Sequence, residues 1–325
     1  MVREILTKER FLKEKIIFPD DAFFPQEIEN NNSQDSLFLV DDKVVKACCS
    51  IWTDNTPDYM LYKTGCIGDL FANDINSGLE ILKYAEDQLK KHKINYAIGP
   101  MNGNTWNKYR LVSESTDHKP FFLEYFTPLF WKNIFINSRY SSIASFSSAI
   151  TDNLSYEYKS DESFEKFFKE LNLKIRNFNI NNPICDLKKI YKLSIICFAK
   201  NFLYSYISEK SFLDMYEKII PYIDPELFLL IEHNNNLIAF VFAIPDYNQT
   251  ESTDTLIIKT MARDPNKIYA GLGNLMAQKI HLRAREKNYK QVIHALMHDS
   301  NSSKIISNKS AKKIRTYELF GKELL

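Results

Sequence analysis

The chain has 325 residues, 45% of them apolar, with 23 Phe and 18 Tyr but only 8 Gly and 11 Pro. That exceeds one ordinary domain of about 100–200 residues and excludes disordered and fibrous classes. Forty-two Lys and Arg against 41 Asp and Glu leave a formal charge of +1, so no net field draws the chain to nucleic acid or to an acidic membrane.

Met1–Asp20 mixes Arg3, Glu4, Lys8, Glu9, Arg10 and Lys13 with scattered apolar residues. It lacks the continuous apolar stretch of a signal peptide or membrane span, which predicts a cytoplasmic protein. Cys48, Cys49, Cys66, Cys185 and Cys197 are odd in number and lack CxxC or His/Cys spacing, which predicts reduced thiols and no metal site. Ser36–Trp52 reads as a β-hairpin, with apolar runs Leu37–Val40 and Val44–Trp52 around the polar turn Asp41–Lys43. A strand at Thr64–Phe71, a helix at Ser77–His92 with Gly78, Leu82, Ala85 and Leu89 on one face, and a strand at Ile94–Gly99 follow.

Asp161–Asn177 and Leu187–Leu203 are helical by pattern, and the break at Asn179–Ile184 marks a boundary, giving domains 1–180 and 181–325. The first pattern then returns. Leu227–Glu232, the turn His233–Asn236 and Leu237–Pro245 form a second hairpin; Thr255–Ala262 is a strand, Gly271–Asn288 a helix with Leu272, Met276, Ile280 and Ala284 on one face, and Gln291–Met297 a strand. Matching helix starts (77 and 271) lie 194 residues apart and the following strands (94 and 291) lie 197 apart, which points to internal duplication. Chance recurrence of a common α/β unit is the competing explanation.

Arg263–Asn274 joins the second unit's strand to its helix. Helix-start N–H groups lack partners, the macrodipole there is positive and glycines allow close approach, so Gly271 and Gly273 form a candidate anion cradle, with Arg263 and Lys267 as counter-charge. A tight turn or close helix packing explains the same glycines. The corresponding loop of the first unit, Phe71–Gly78, has one glycine, no cation, and Asp69 and Asp74 nearby, which should repel a pyrophosphate.

This loop resembles that of the GNAT acyltransferases, Gln/Arg-x-x-Gly-x-Gly/Ala between the fourth strand and a helix. Gly271 and Gly273 match, and Ile268 stands at the Gln/Arg position. Asn301 after the fifth-strand candidate and Lys312–Leu325, which looks like the closing strand, extend the resemblance. Gly99–Gly103, Pro120–Phe122, Pro128–Trp131 and Pro245–Gln249 resemble stretches that recur in that order in tandem GNAT-like bacterial proteins. The implied fold is α/β (α+β): two GNAT-like domains in tandem, each a mixed, mostly antiparallel sheet flanked by helices, with the cofactor loop only in the second.

The resemblance implies an acyl-CoA, acetyl or longer, as co-substrate and an amine as acceptor. Met261, Ala262, Arg263, Lys267, Ala270, Gly271, Leu272, Gly273, Asn274 and Asn301 are then the cofactor-binding candidates. His298, at the end of the fifth-strand candidate beside Asp299, is the candidate catalyst because imidazole transfers protons near neutrality; an exposed loop pair is the competing reading. His294 reads as a core or half-buried histidine. A Tyr on the helix after the fifth strand is absent from Ser302–Lys309, and Tyr317 reads as packing. Asn102, Trp106, Tyr109, Arg110 and Glu124 form a polar-aromatic cluster able to recognise an acceptor, with an Arg110–Glu124 ion pair as the structural alternative. Lys304, Lys309, Lys312, Lys313 and Arg315 could meet the 3′-phosphate of coenzyme A, with a solvated basic face as the default reading. The rivals to transfer from acyl-CoA are a catalytically silent GNAT-like binding or scaffold protein and an aminoacyl-tRNA-dependent transferase.

Overall fold

The computed structural model describes residues 3–14, 16–19, 31–155, 168–249 and 253–324. The first half comprises β1 (Arg3–Thr7), α1 (Lys8–Lys13), β2 (Asp35–Asp41), β3 (Val44–Trp52), β4 (Thr64–Ala72), α2 (Ile75–Lys91), β5 (Tyr96–Gly99), β6 (Leu111–Ser115), α3 (Trp131–Asn137) and β7 (Ser141–Thr151). The second comprises β8 (Lys174–Asn177), α4 (Pro183–Phe198), α5 (Glu209–Glu217), β9 (Phe228–His233), β10 (Asn236–Pro245), β11 (Thr255–Arg263), α6 (Leu272–Glu286), β12 (Gln291–His298), α7 (Ser302–Ser307) and β13 (Lys312–Glu323). Among the described residues no helix is long and apolar enough to cross a membrane.

Both hairpins form where turn chemistry and alternation predict. Asp42 and Lys43 (φ 47° and 63°) turn β2 into β3, and Asn234 and Asn235 (φ 49° and 64°) turn β9 into β10. Two central residues with positive φ match the twist of the flanking strands. In each half the next strand crosses over through an amphipathic helix to a parallel neighbour, β4–α2–β5 and β11–α6–β12. Strand β10 is buried on both faces: Phe240, Phe242 and Ile244 pack with Leu187, Ile190 and Phe212, while Ala239, Val241 and Ala243 pack with Leu272, Met276 and Ile280.

All strands join one sheet in the order β1-β2-β3-β4-β5-β13-β7-β12-β11-β10-β9-β8, with β6 on β13. The strand at 312–323 forms as predicted, but it lies between β5 and β7, whereas β7 from the first half borders β12. Neither half completes its sheet from its own residues alone. One expectation is corrected: Lys174–Asn177, read as the end of a helix, is an edge strand on β9, because β9 offers it a ladder that a local helix lacks. The predicted helix start at 161–167 lies outside the described residues.

The strand exchange buries an ion pair. Arg315, predicted on a solvated face, is 1% exposed on β13, and its Nε lies 2.8 Å from Glu124 Oε1; both side chains are wholly buried. Arg315 Nη2 also donates to the carbonyls of His118 and Lys119, and Tyr317 Oη donates to Glu124. A further tie is Asp246, whose Oδ1 accepts the Phe122 N–H at 2.7 Å. Removing one partner of a buried pair strands the other charge at about 3–5 kcal/mol. Arg315→Met should therefore lower stability by that order in urea unfolding, and Arg315→Met/Glu124→Leu should restore much of it; a single variant within about 1 kcal/mol of the parent would show that the pair is dispensable.

Candidate functional site

The site begins where two parallel strands part. β11 and β12 are paired from Thr255↔Gln291 to Ile258↔His294, and among the described residues the ladder stops there. A bulge in β12 contributes to the separation: Leu296 adopts φ 59°, and its N–H donates to Ser148 Oγ at 3.0 Å. A left-handed conformation at a non-glycine residue costs about 1–2 kcal/mol, so packing must hold it. The parted strands bound a slot of about 160 Å³ lined by Thr260, Met261, Ala295 and Asn301 among others. It shares walls with a chamber of about 370 Å³, which in turn shares walls with a cleft of about 700 Å³ between the halves. Lys259 and Leu296 line all three spaces.

The first half has closed the equivalent opening. β4 and β5 part after Cys66↔Ile98, but the loop beyond β5 folds back: Met101 N–H donates to Ile67 O at 2.8 Å and Asp69 N–H to Asn102 Oδ1 at 2.9 Å. A Cβ on Gly68 would stand 2.5 Å from the Met101 carbonyl oxygen, so no slot remains. The helix start is closed too. Asp74 caps α2, its carboxylate accepting the Ser77 N–H at 2.9 Å and the Ser77 hydroxyl at 2.8 Å. That backbone N–H is the main reason its pKa is held below the usual range.

The second half keeps its helix start open. Gly271 is the N-cap of α6 at φ 96°, no side chain among the described residues caps the helix, and its first turn carries no acidic residue. Gly273 serves the packing alternative, since a Cβ there would come 3.2 Å from Ile306 Cδ1 of α7. Asn274 Oδ1 is buried without a hydrogen-bond partner among the described residues. Lys267 and Ala270 are exposed on the turn before the helix. Arg263 is folded onto its own loop, Nη1 donating to the Asp264 carbonyl at 2.7 Å. Met261 and Asn301 line the slot, whereas Ala262 and Leu272 put their side chains into the cores.

His298 lines the middle chamber, its ring edge-on to Phe146 at 4.9 Å. The Ser300 N–H donates to its Nδ1 at 3.1 Å, so the neutral ring carries its proton on Nε2. Partial burial lowers its pKa, with Asp299 opposing and Arg110 and Lys304 adding. In this arrangement His298 is a hydrogen-bond donor through Nε2; the base role expected from the sequence would require Nδ1 to be released from Ser300.

Four of the five acceptor candidates converge on the cleft. Asn102 is clamped to Asp69, and Trp106 Nε1 donates to Ser205 O at 2.7 Å; Tyr109 and Arg110 form adjoining wall. Glu124 does not line these spaces. It sits behind the wall on Arg315, so the predicted grouping is corrected and the Arg110–Glu124 pair is replaced by Arg315–Glu124.

Sequence reasoning missed Lys259. Its Nζ donates to the Leu123 carbonyl at 2.8 Å, and burial, reinforced by Arg110 and opposed by Glu124, lowers its pKa to about 7. Accessible area makes this residue only half-buried because it faces the open slot, yet protein surrounds the amine closely enough for desolvation to dominate. The available signal was a single Lys within the apolar run Leu256–Ala262.

No protein-family model matches the sequence, and no curated protein matches it significantly. Solved structures do match. Over 99% of its length the chain is similar to the GCN5-related glucosamine N-acetyltransferase region of a fungal multi-domain GH3 β-N-acetylglucosaminidase, with TM-score 0.57 and 10% identity, and it spans 38% of that longer chain. Over 90% it is similar to a tandem GNAT protein from the clavulanic acid biosynthesis pathway (TM-score 0.52, 11% identity, 83% of that chain). All of it aligns with a conserved protein of unknown function and probable N-acyltransferase from Enterococcus faecalis V583 (TM-score 0.56, 9% identity, 73% of that chain). The fold is that of the GCN5-related N-acetyltransferases. Its two units make it the tandem form of that fold.

His294, on the slot wall, is buried as expected. Its Nε2 lies 3.0 Å from His281 Nε2, and its Nδ1 lies 2.9 Å from Ser307 Oγ. Burial lowers His281 to about 4 and His294 to about 3, so both are neutral in the folded protein at pH 7. An unfolded histidine titrates near 6.5, so as pH falls below about 6.5 the unfolded state takes up protons that the folded state refuses. Stability should fall with decreasing pH from about 6.5 toward 4, by up to about 1.4 kcal/mol per pH unit per histidine. Urea midpoints across this range should flatten in His281→Phe/His294→Leu; an equal slope in that variant would assign the dependence elsewhere.

Proposed function

We propose that the second half (181–325) is an acyl-CoA-dependent N-acyltransferase acting on an amine in the cytoplasm, and that the first half (1–180) is its acceptor platform. The observation that carries this reading is the slot, chamber and cleft that share Lys259 as a wall, with a start of α6 that a positive-φ glycine N-caps without a side-chain cap among the described residues. The fit to a coenzyme A thioester is chemical. The N–H groups at Gly271–Asn274, which no side chain among the described residues caps, suit a pyrophosphate, the edge of β11 that β12 leaves unpaired from Lys259 to Ala262 suits the amides of a pantetheine arm, and the slot suits a thioester. The N-acetyltransferase and tandem GNAT structures that share this fold support the same reading.

In the proposed step the neutral amine attacks the thioester carbonyl, the C–N bond forms, the C–S bond breaks, and coenzyme A leaves as the thiolate, which then takes up the proton collected by Lys259. The nitrogen's proton passes to Lys259, which can accept it because a pKa lowered to about 7 leaves part of its side chain neutral at pH 7. His298, held as the Nε2–H tautomer, supplies a donor to the chamber in which charge develops.

Calorimetric titration with acetyl-CoA should give saturable binding that Gly271→Glu abolishes and Gly271→Asn, which tolerates positive φ and adds no charge, retains. Absence of binding by the parent protein would overturn the reading. With an accepted amine, Lys259→Met should lower turnover by about 10²–10⁴ and remove the rise in rate through pH 7. An unchanged pH profile in that variant would assign the proton transfer to another group.

A further inference from the structure

The wall between the chamber and the cleft holds a cation that the described residues leave without an ion-pair partner. Arg110 is 9% exposed, yet among the described residues no carboxylate forms an ion pair with it. Its Nη1 donates to Tyr109 Oη at 3.0 Å, and the guanidinium carbon lies 4.3 Å from the Tyr109 ring centre and 4.4 Å from that of Phe146. Of the carboxylates around it, Glu124 is committed to Arg315 and Tyr317 and Asp69 to Asn31 and Asn102, while Asp214, which also lines the cleft, forms no ion pair with Arg110 among the described residues. The backbone at Arg110 adopts φ 66° with its N–H on the Pro100 carbonyl, an uncommon conformation for a non-glycine residue that fixes where the side chain departs.

A buried guanidinium packed against the Tyr109 and Phe146 rings keeps a planar fork of donors ready for a carboxylate. Its position selects the source of that carboxylate. Arg110 lines the middle chamber and the inter-half cleft but not the slot between β11 and β12. It therefore stands on the acceptor side of Lys259. Its charge reaches the reacting end as well, since Arg110 is a cause of the lowered proton affinity of both Lys259 and His298. A carboxylate seated on Arg110 would offset that effect and make Lys259 a stronger proton acceptor only when an acceptor is bound.

We infer that the acceptor is an amine that also bears a carboxylate, of the amino-acid class, with the carboxylate held by Arg110 and the amine directed to Lys259. This rests on the proposed transfer reaction, and the test separates the two claims. Acyl transfer from acetyl-CoA is followed by thiol release for matched pairs: phenylalanine and phenethylamine, tyrosine and tyramine, lysine and cadaverine. Binding of the same compounds is measured in parallel by calorimetry, so carboxylate preference is scored whether or not transfer occurs.

The expected result is a preference for the carboxylate member of at least one pair by about a hundredfold or more in kcat/KM or in affinity, because a buried polar group left unpaired discriminates strongly. Arg110→Gln should collapse that ratio, and Arg110→Lys, which keeps charge but loses the fork, should restore only part of it. Equal use or binding of both members by the parent protein, or a preference that survives Arg110→Gln, would overturn the inference. A preference for succinyl-CoA over acetyl-CoA that depends on Arg110 would also overturn it, by moving the carboxylate to the donor. Carboxylate-selective binding without any acyl transfer would overturn the transferase reading and leave the anion site standing.

Discussion

Two parallel strands that part inside a protein leave peptide groups facing each other without partners, and buried backbone must be satisfied. Each half of this chain builds such a parting and resolves it differently. In the first half, the segment from Met101 to Asn102 bridges the gap with backbone and amide hydrogen bonds, and Asp74 caps the following helix. In the second half, the gap after Ile258 and His294 stays open, and the helix that follows begins at an uncapped glycine. The asymmetry of the proposed function follows from these two solutions to one constraint.

The closed copy contributes more than a scaffold. Its β7 borders β12, the loop around Leu123 accepts the hydrogen bond of Lys259, and Tyr109 and Arg110 wall the chamber that shares Lys259 with the slot. The second half in turn sends β13 back between β5 and β7 and anchors Glu124 through Arg315. Each half thus supplies groups that the other needs to finish its core and its site. A cleft built this way is shaped by residues far apart in sequence, and its charges are set by which carboxylates the exchange consumes.

That interdependence explains what was legible in the sequence. The hairpins were readable because their turns carry Asp42-Lys43 and Asn234-Asn235 between alternating runs, and helices α2 and α6 because their apolar residues recur at helical spacing. The open helix start was readable from Gly271, whereas Asp74 read only as a charge that repels a pyrophosphate and proves in the structure to cap α2. Strand β7 was not, because it is rich in serine: Ser147 and Ser148 are buried, Ser148 meeting Tyr317 Oη and Leu296 N–H, so the apolar alternation is masked. Lys174–Asn177 carries a polar sequence that only its neighbour β9 turns into a strand. Lys259 looked like an ordinary strand lysine, and Glu124 like a partner for Arg110, until the exchanged strand placed Arg315 beside the glutamate.

Amide hydrogen exchange on the intact chain, with and without acetyl-CoA, compares the two copies within one molecule. The account predicts added protection at Lys259–Arg263 and Leu272–Leu275, with the equivalent segments of the first half, Ile67–Ala72 and Asn76–Leu79, unchanged. Protection confined to the first half, equal in both, or absent from both would contradict the claim that only the second copy kept an open thioester site.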